Sequence, residues 1–109
     1  MVDERMAAWV SAKSMIDAVG MIAEEMERCG ADICCDIREG VVEISNESAT
    51  YLVSWHEPSS QLWVASPNSG SVRFSYDRST GLWQDDRTKQ ELLAFVGQEV
   101  RGIFGIFGT

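Results

Sequence analysis

Six short runs of strand-forming residues, joined by brief turns, constrain the fold of this chain more than any other feature. The runs are 35–38, Val41–Ser45, Thr50–His56, Gln61–Ser66, 72–76 and Leu82–Asp85, each with alternating or β-branched residues. The segments between them, such as 39–40 and 77–81, have only two to five residues. A parallel crossover needs about a dozen residues or more. The sheet is therefore predicted to be largely antiparallel.

Helical periodicity flanks this sheet on both sides. A first helix is predicted over Glu4–Arg28; Gly30 is placed to end it, and Gly20 indicates close packing or a slight bend. Its predicted buried stripe consists of Met6, Trp9, Val10, Ile16, Val19, Ala23 and Met26. A second helix is predicted to open with a capping box between Thr88 and Glu91. Its predicted stripe consists of Leu92, Phe95, Val96, Val100 and Ile103.

These elements predict one α+β domain over residues 1–109. The expected architecture is a two-layer sandwich in which the N- and C-terminal helices pack on one face of a six-stranded sheet. This arrangement leaves the other face of the sheet to water or to a partner.

Negative charge is concentrated in the first half of the chain. The net charge is −8, and residues 1–48 hold eleven acidic and four basic side chains, against six and five in the remainder. Such a surface repels phosphate, which argues against nucleic acid and anionic membranes and favours cations and basic protein patches. No uninterrupted apolar run approaches the roughly 18 residues of a membrane span, so a soluble protein is expected.

The three cysteines, Cys29, Cys34 and Cys35, match neither a disulfide framework nor a zinc site. Their number is odd, and the adjacent pair would point to opposite faces of a strand. Since His56 is the only histidine, a conventional site of nitrogen and sulfur ligands is hard to assemble. We interpret the cysteines as small apolar residues in a reducing compartment.

The segment that begins at Gln61 resembles the signature of a known family. The run QLWVASPNSG, followed by Arg73 and Phe74, is similar to the frataxin pattern Q-[IVL]-W-[LV]-[AS]-S-P-x-S-G-x-x-[RH]-[FY]. The runs DICCD at 32–36, GVV at 40–42 and ELL at 91–93 also resemble this family. The chain departs from the family where N-[KR]-Q is usual and Ser54, Trp55 and His56 stand instead. It also has Cys34 in place of an aspartate and Ser71 in place of a common proline.

The resemblance implies an iron-binding accessory and regulatory protein of iron-sulfur cluster assembly. Its implied partners are the cysteine desulfurase and the iron-sulfur scaffold protein, between which it would promote sulfur transfer and iron delivery. The implied cofactor is weakly bound ferrous or ferric iron. The implied location is the mitochondrial matrix after removal of a presequence, with the bacterial cytoplasm as the alternative. A monomer is expected without metal, and a metal-driven oligomer is the alternative state.

The resemblance places iron on an acidic ridge formed by the first helix and the first strand. The charge asymmetry points the same way, because iron favours hard oxygen ligands and spaced carboxylates supply them without a closed cage. The predicted ridge residues are Asp17, Glu24, Glu25, Glu27, Asp32, Asp36 and Glu39. The competing interpretation is an ordinary solvated face of charged residues.

The open face of the sheet is the implied surface for docking on the partner complex. Trp63 alternates with Leu62 and Val64, so it lies on the open face if those two face the helices. The predicted docking residues are Ser54, His56, Gln61, Trp63 and Arg73. The competing interpretations are core packing for the tryptophan and an ordinary surface position for the arginine.

Two other functions stay open beside regulation by binding. The first is a ferroxidase or iron-storage protein that oxidises ferrous iron at surface carboxylates, as has been ascribed to the family. The second is an α+β interaction module without an iron role. The sequence has no evident nucleophile with its base, paired acid and base, or phosphate loop, so regulation ranks first.

Overall fold

Two helices flank six consecutive strands in the computed structural model, which describes residues 4–105. The elements are α1 (Glu4–Arg28), β1 (Cys34–Arg38), β2 (Val41–Ser45), β3 (Thr50–His56), β4 (Gln61–Ser66), β5 (Gly70–Asp77), β6 (Leu82–Asp85) and α2 (Leu92–Phe104). The strands lie in sequence order, and each pairs antiparallel with the next. The predicted order and antiparallel sheet are confirmed. Strand β1 begins one residue before the prediction, and β5 extends beyond it at both ends.

Both helices pack on one face of this sheet, as predicted. Alternate strand residues supply the sheet side of the core, as shown by Leu62 and Val64 in β4, which are buried while Trp63 between them is partly exposed. On the same side, Trp55 of β3 packs against Trp9 of α1, with ring centroids 5.5 Å apart. The opposite face of the sheet carries no helix among the described residues.

The buried stripe of α1 differs from the prediction near its N-terminus. Met6 and Val10 are 57% and 56% exposed, so their predicted burial is wrong. Ala8 and Ala12 are buried instead, and they continue the line that Ile16 begins further along the helix. The prediction followed the largest apolar side chains, whereas the contact line follows small residues that allow the helix to approach the sheet closely.

Two glycines shape α1 and its end. A Cβ atom on Gly20 would lie 2.4 Å from Cδ1 of Ile37 in β1, which identifies close packing as the reason for this glycine. Gly30 has a φ of 105°, and its N–H donates to the carbonyl of Glu27 at 3.0 Å. The N–H of Ala31 donates to the carbonyl of Met26 at 3.0 Å. This pair of bonds is a Schellman motif, and it ends the helix where the sequence predicted.

The start of α2 corrects the predicted capping box. Glu91 is itself the N-cap, and its carboxylate accepts hydrogen bonds from the N–H groups of Leu93 and Ala94 at 2.8 and 3.1 Å. The hydroxyl of Thr88 accepts from the N–H of Gln90 instead. Lys89 adopts a φ of 65°. This left-handed step turns the backbone, so the threonine stays outside the first turn and the glutamate caps alone.

Helix α1 qualifies the expectation that the chain has no apolar segment long enough to span a membrane. By length and composition alone, the segment Arg5–Arg28 could cross a membrane, although charged side chains such as Lys13, Asp17 and Glu24 interrupt it. One such helix is weak evidence for a span, because a helix in the core of a globular domain has the same composition. Here the segment packs one face on the sheet.

The Schellman motif generates a stability prediction. We expect Gly30→Ala to lower the free energy of unfolding by about 1–2 kcal/mol, because a Cβ atom strains a left-handed backbone. Gly102→Ala is the matched control, since no atom lies within 4 Å of its Cβ position. It should raise the same free energy by up to about 1 kcal/mol through helix propensity. Urea denaturation measures both, and equal effects of the two substitutions would contradict the assignment.

Candidate functional site

The five predicted docking residues lie side by side on the open face of the sheet. Trp63 of β4 pairs with Ser54 of β3 on one side and with Arg73 of β5 on the other. His56 pairs with Gln61 at the neighbouring position of the same two strands. The strand register therefore assembles these side chains from three different strands into one surface.

Trp63 is held between neighbours of complementary chemistry. The ring of His56 stacks on its indole with centroids 3.7 Å apart and an interplanar angle of 13°. The guanidinium carbon of Arg73 lies 4.7 Å from the indole centroid, within the range of a cation–π contact. We name these three residues the Trp63 stack. The histidine, a departure from the family pattern, thus takes part in the surface.

Hydrogen bonds fix the edge of the Trp63 stack. The indole N–H of Trp63 donates to Oε1 of Gln61 at 3.0 Å. The amide nitrogen of Gln61 donates to Ser75 at 3.2 Å and to Asp86 at 2.8 Å. Sequence reasoning missed Ser75 and Asp86. The alternation along β5 could have indicated Ser75, which lies two residues beyond Arg73 and therefore shares its face.

The predicted ridge residues are all exposed, and they lie along α1, just before the edge strand β1, on β1 and in the turn that follows it. Asp36 forms an ion pair with Arg38 at 3.4 Å, and it lies with Glu24 and Glu27 in the neighbourhood of the Cys35 thiol. Burial raises the pKa of this thiol, and the three carboxylates add to the effect. Cys35 is partly buried, in line with its interpretation as a small apolar residue, whereas Cys29 and Cys34 are exposed.

The other ridge residues are more dispersed. Glu25 forms an ion pair with Arg28 at 2.6 Å, and the hydrogen bond from this guanidinium lowers the pKa of the glutamate. Asp17 and Glu39 line a shallow groove together with two basic side chains, Lys13 and Arg38. Asp32 is exposed just before β1. The ridge is thus a dispersed surface of carboxylates, in which Glu24 and Glu27 are neighbours three residues apart on α1.

The side chains of the ridge are of a type that iron accepts as ligands, but they do not form a closed site. Carboxylate oxygens are hard donors, which ferrous and ferric ions accept. Within residues 4–105, no three His, Cys, Asp or Glu side chains are grouped closely enough to hold one metal ion. Any iron there would keep much of its water, and it would exchange readily.

A buried carboxylate, which sequence reasoning also missed, holds the turn between β4 and β5. Glu99 of α2 accepts hydrogen bonds from the hydroxyl of Tyr51 at 2.9 Å, from the amide of Asn68 at 3.3 Å and from the hydroxyl of Ser69. Its position could have signalled this role, because it lies three residues after Val96 and thus on the apolar stripe of α2.

The family signature is explained by the same turn. The hydroxyl of Ser66 accepts hydrogen bonds from the N–H groups of Asn68 and Ser69, both at 3.0 Å. Ser69 in turn reaches Glu99. The serines of the S-P-x-S-G run therefore build the turn that leads into β5 and so place Arg73.

The environment of Tyr51 generates a prediction on pH. Burial and the adjacent Glu99 carboxylate raise the pKa of Tyr51 above its ordinary value of 10.0. Since the folded pKa exceeds the unfolded one, this stabilisation is present below pH 10 and is lost as the pH rises. Above pH 10 the tyrosine should subtract about 1.4 kcal/mol per pH unit from the free energy of unfolding. Urea denaturation between pH 9 and about 11 should give a shallower decline for Tyr51→Phe; equal declines would contradict this.

Comparisons with known proteins agree with this architecture. A model of the frataxin-like domain matches residues 8–106. The iron-sulfur cluster assembly protein CyaY of Pseudomonas fluorescens is 33% identical, over 81% of this chain and 84% of that protein. Mitochondrial frataxin of Arabidopsis thaliana is 34% identical over 51% of this chain and 30% of its own length.

A solved structure of trimeric frataxin from the yeast Saccharomyces cerevisiae, complexed with ferrous iron, superposes with a TM-score of 0.73. The two chains are 26% identical, and the match covers 86% of this chain and 85% of the yeast chain. Together with the domain match, these similarities show that the chain belongs to the frataxin family.

Proposed function

We propose that this chain is an accessory protein of iron-sulfur cluster assembly that acts by binding rather than by its own chemistry. The observation that carries the proposal is the Trp63 stack, an ordered aromatic and cationic group on the open face of the sheet. Membership of the frataxin family and the relative named as an iron-sulfur cluster assembly protein support this function.

The Trp63 stack has the properties of a protein-binding anchor. Tryptophan and arginine are the residue types most enriched among those that dominate binding energy in interfaces. Stacking and hydrogen bonds already restrict the indole of Trp63, so little side-chain entropy would be lost on binding. The proposed partner is the complex of the cysteine desulfurase with the iron-sulfur scaffold protein, in which the chain would promote sulfur transfer.

The acidic ridge is the proposed site for iron delivery. Its carboxylates, among them the neighbouring Glu24 and Glu27 of α1, supply negative charge beside the edge strand of the sheet, and the yeast relative was solved with ferrous iron. A weak, hydrated site suits an ion that is passed on rather than retained. A metal-driven oligomer is part of the proposal, because that yeast frataxin is trimeric.

Ferroxidase activity ranks second as a proposal. Oxidation of ferrous iron is favoured where several ligands hold the ion while oxygen reacts, and no such group is present within residues 4–105. The compartment is proposed as either the bacterial cytoplasm or the mitochondrial matrix, because the relatives include a bacterial protein and a mitochondrial frataxin.

The docking surface generates a prediction on affinity. We expect Trp63→Ala to weaken binding to the desulfurase–scaffold complex by about 2 kcal/mol, roughly thirtyfold, because it removes the anchor of the surface. Met21→Ala is the control, since this side chain of α1 is 66% exposed and lies outside the stack. Titration calorimetry measures both affinities, with the melting temperatures as a check on folding. Equal affinities of the two variants would reject the surface.

The ridge generates a separate prediction on metal binding. The double variant Glu24→Gln, Glu27→Gln should lose several-fold in affinity for ferrous iron under anaerobic conditions, because it removes two neighbouring carboxylates of the ridge. The double variant Glu47→Gln, Glu57→Gln removes the same charge from exposed positions elsewhere and should keep its affinity.

The same variants can be compared by melting temperature. Divalent cations should raise the melting temperature of the unmodified protein more than sodium at equal ionic strength, since a bound cation relieves repulsion among the ridge carboxylates. This difference should shrink only in the Glu24, Glu27 variant. A cation response shared equally by both variants would count against the ridge.

A further inference from the structure

We propose that Asp86 is a positioning residue of the docking surface, acting through Gln61 on the indole of Trp63. Its effect on partner binding rests on the proposed function. Its effect on Trp63 is a property of the isolated chain and is tested separately.

The backbone places Asp86 on the open face beside the Trp63 stack. In β6, Trp83 and Asp85 are buried toward the helices, so Asp86 by alternation belongs to the opposite face. Asp85 pairs with Phe74 of β5, and the N–H of Asp86 donates to the carbonyl of Arg73 at 3.0 Å. Asp86 therefore extends the pairing of β6 by one residue and lies opposite Arg73.

The Asp86 carboxylate joins two adjacent strands of the docking surface, β4 and β5. Its Oδ1 accepts from the hydroxyl of Ser75 in β5 at 2.5 Å, and its Oδ2 accepts from the amide of Gln61 in β4 at 2.8 Å. Within residues 4–105, Asp86 and Arg73 form no ion pair although they lie opposite each other. The guanidinium of Arg73 lies over Trp63 instead.

The chemistry of the three groups determines the orientation of the Gln61 amide. An ionised carboxylate only accepts hydrogen bonds, and an indole N–H only donates them. The amide between Asp86 and Trp63 satisfies both neighbours in one orientation only, with its nitrogen toward the carboxylate and its oxygen toward the indole. Charge-assisted hydrogen bonds are about twice as strong as neutral ones, so the carboxylate is the stronger constraint.

Two consequences follow for the docking surface. With Asp86 in place, the indole has a fixed acceptor and the ring stays in the plane that His56 and Arg73 contact. Because Ser75 and Gln61 hold the Asp86 carboxylate, Arg73 keeps its contact with the ring and its charge toward the open face. Loss of Asp86 would release Gln61 and with it the edge of Trp63.

The test follows hydrogen exchange of the tryptophan indole N–H groups by NMR in the isolated protein. In Asp86→Ala the exchange rate of the Trp63 indole N–H should rise roughly tenfold, because its acceptor is no longer fixed. The indole N–H of Trp83 donates to Ser11 at 2.9 Å on the helix side and is the internal control for folding. Glu47→Ala removes an equal charge from an exposed turn and should change neither rate.

Further variants separate the carboxylate from its charge. Asp86→Asn keeps an acceptor oxygen and should restore part of the protection, whereas Ser75→Ala should leave Gln61 held and protect Trp63 nearly as well as the original chain. An unchanged Trp63 exchange rate in Asp86→Ala, with Trp83 still protected, would overturn the proposal.

Binding to the desulfurase–scaffold complex is then measured for the same variants. We expect Asp86→Ala to weaken binding several-fold. Across the variants, the loss of affinity should follow the same order as the rise in the exchange rate of the Trp63 indole N–H. Faster exchange of Trp63 without any loss of affinity would uphold the positioning role and reject the open face as the docking surface. The two claims therefore fail by different results.

Discussion

Alternation of side chains along β4 is the constraint on which both faces of this molecule depend. Leu62 and Val64 point to the helices and form the centre of the core, so the residues between them must point away. The core thereby fixes the position of Trp63 on the open face, where cross-strand pairing adds Ser54 and Arg73. The burial of Leu62 and Val64 that stabilises the fold therefore also places the residues of the proposed docking surface. A shift of one residue in the register of β4 would move both sets of side chains to the opposite face.

The acidic ridge and the proposed docking surface differ in charge and lie on different elements. The ridge lies along α1 and the edge strand β1, whereas the docking surface lies on β3, β4 and β5. The carboxylates of the ridge repel one another, while the open face binds its own carboxylate, Asp86, through Gln61 and Ser75. The proposed iron ridge and the proposed docking surface therefore lie at different places on the molecule.

The sequence predicted what depends on local pattern. Periodicity and short connections gave the antiparallel sheet and both helices, and alternation combined with the resemblance predicted the face of Trp63. Contacts between distant residues were not predictable in this way. The hydrogen bond of Tyr51 to Glu99 and that of Gln61 to Asp86 join residues far apart in the chain. The prediction of the capping box was wrong for a local reason. The backbone at Lys89 is left-handed, and a lysine side chain does not indicate that conformation.

The most direct test of the two-surface account is a two-dimensional amide NMR titration of the labelled protein. Ferrous iron is added anaerobically in one experiment and the desulfurase–scaffold complex in another. The account predicts that iron perturbs amides of α1 and β1 around Glu24, Glu27 and Asp36, and that the complex perturbs the strands that carry Trp63 and Arg73. The account would be contradicted if both ligands perturbed the same residues, or if neither ligand perturbed its predicted surface.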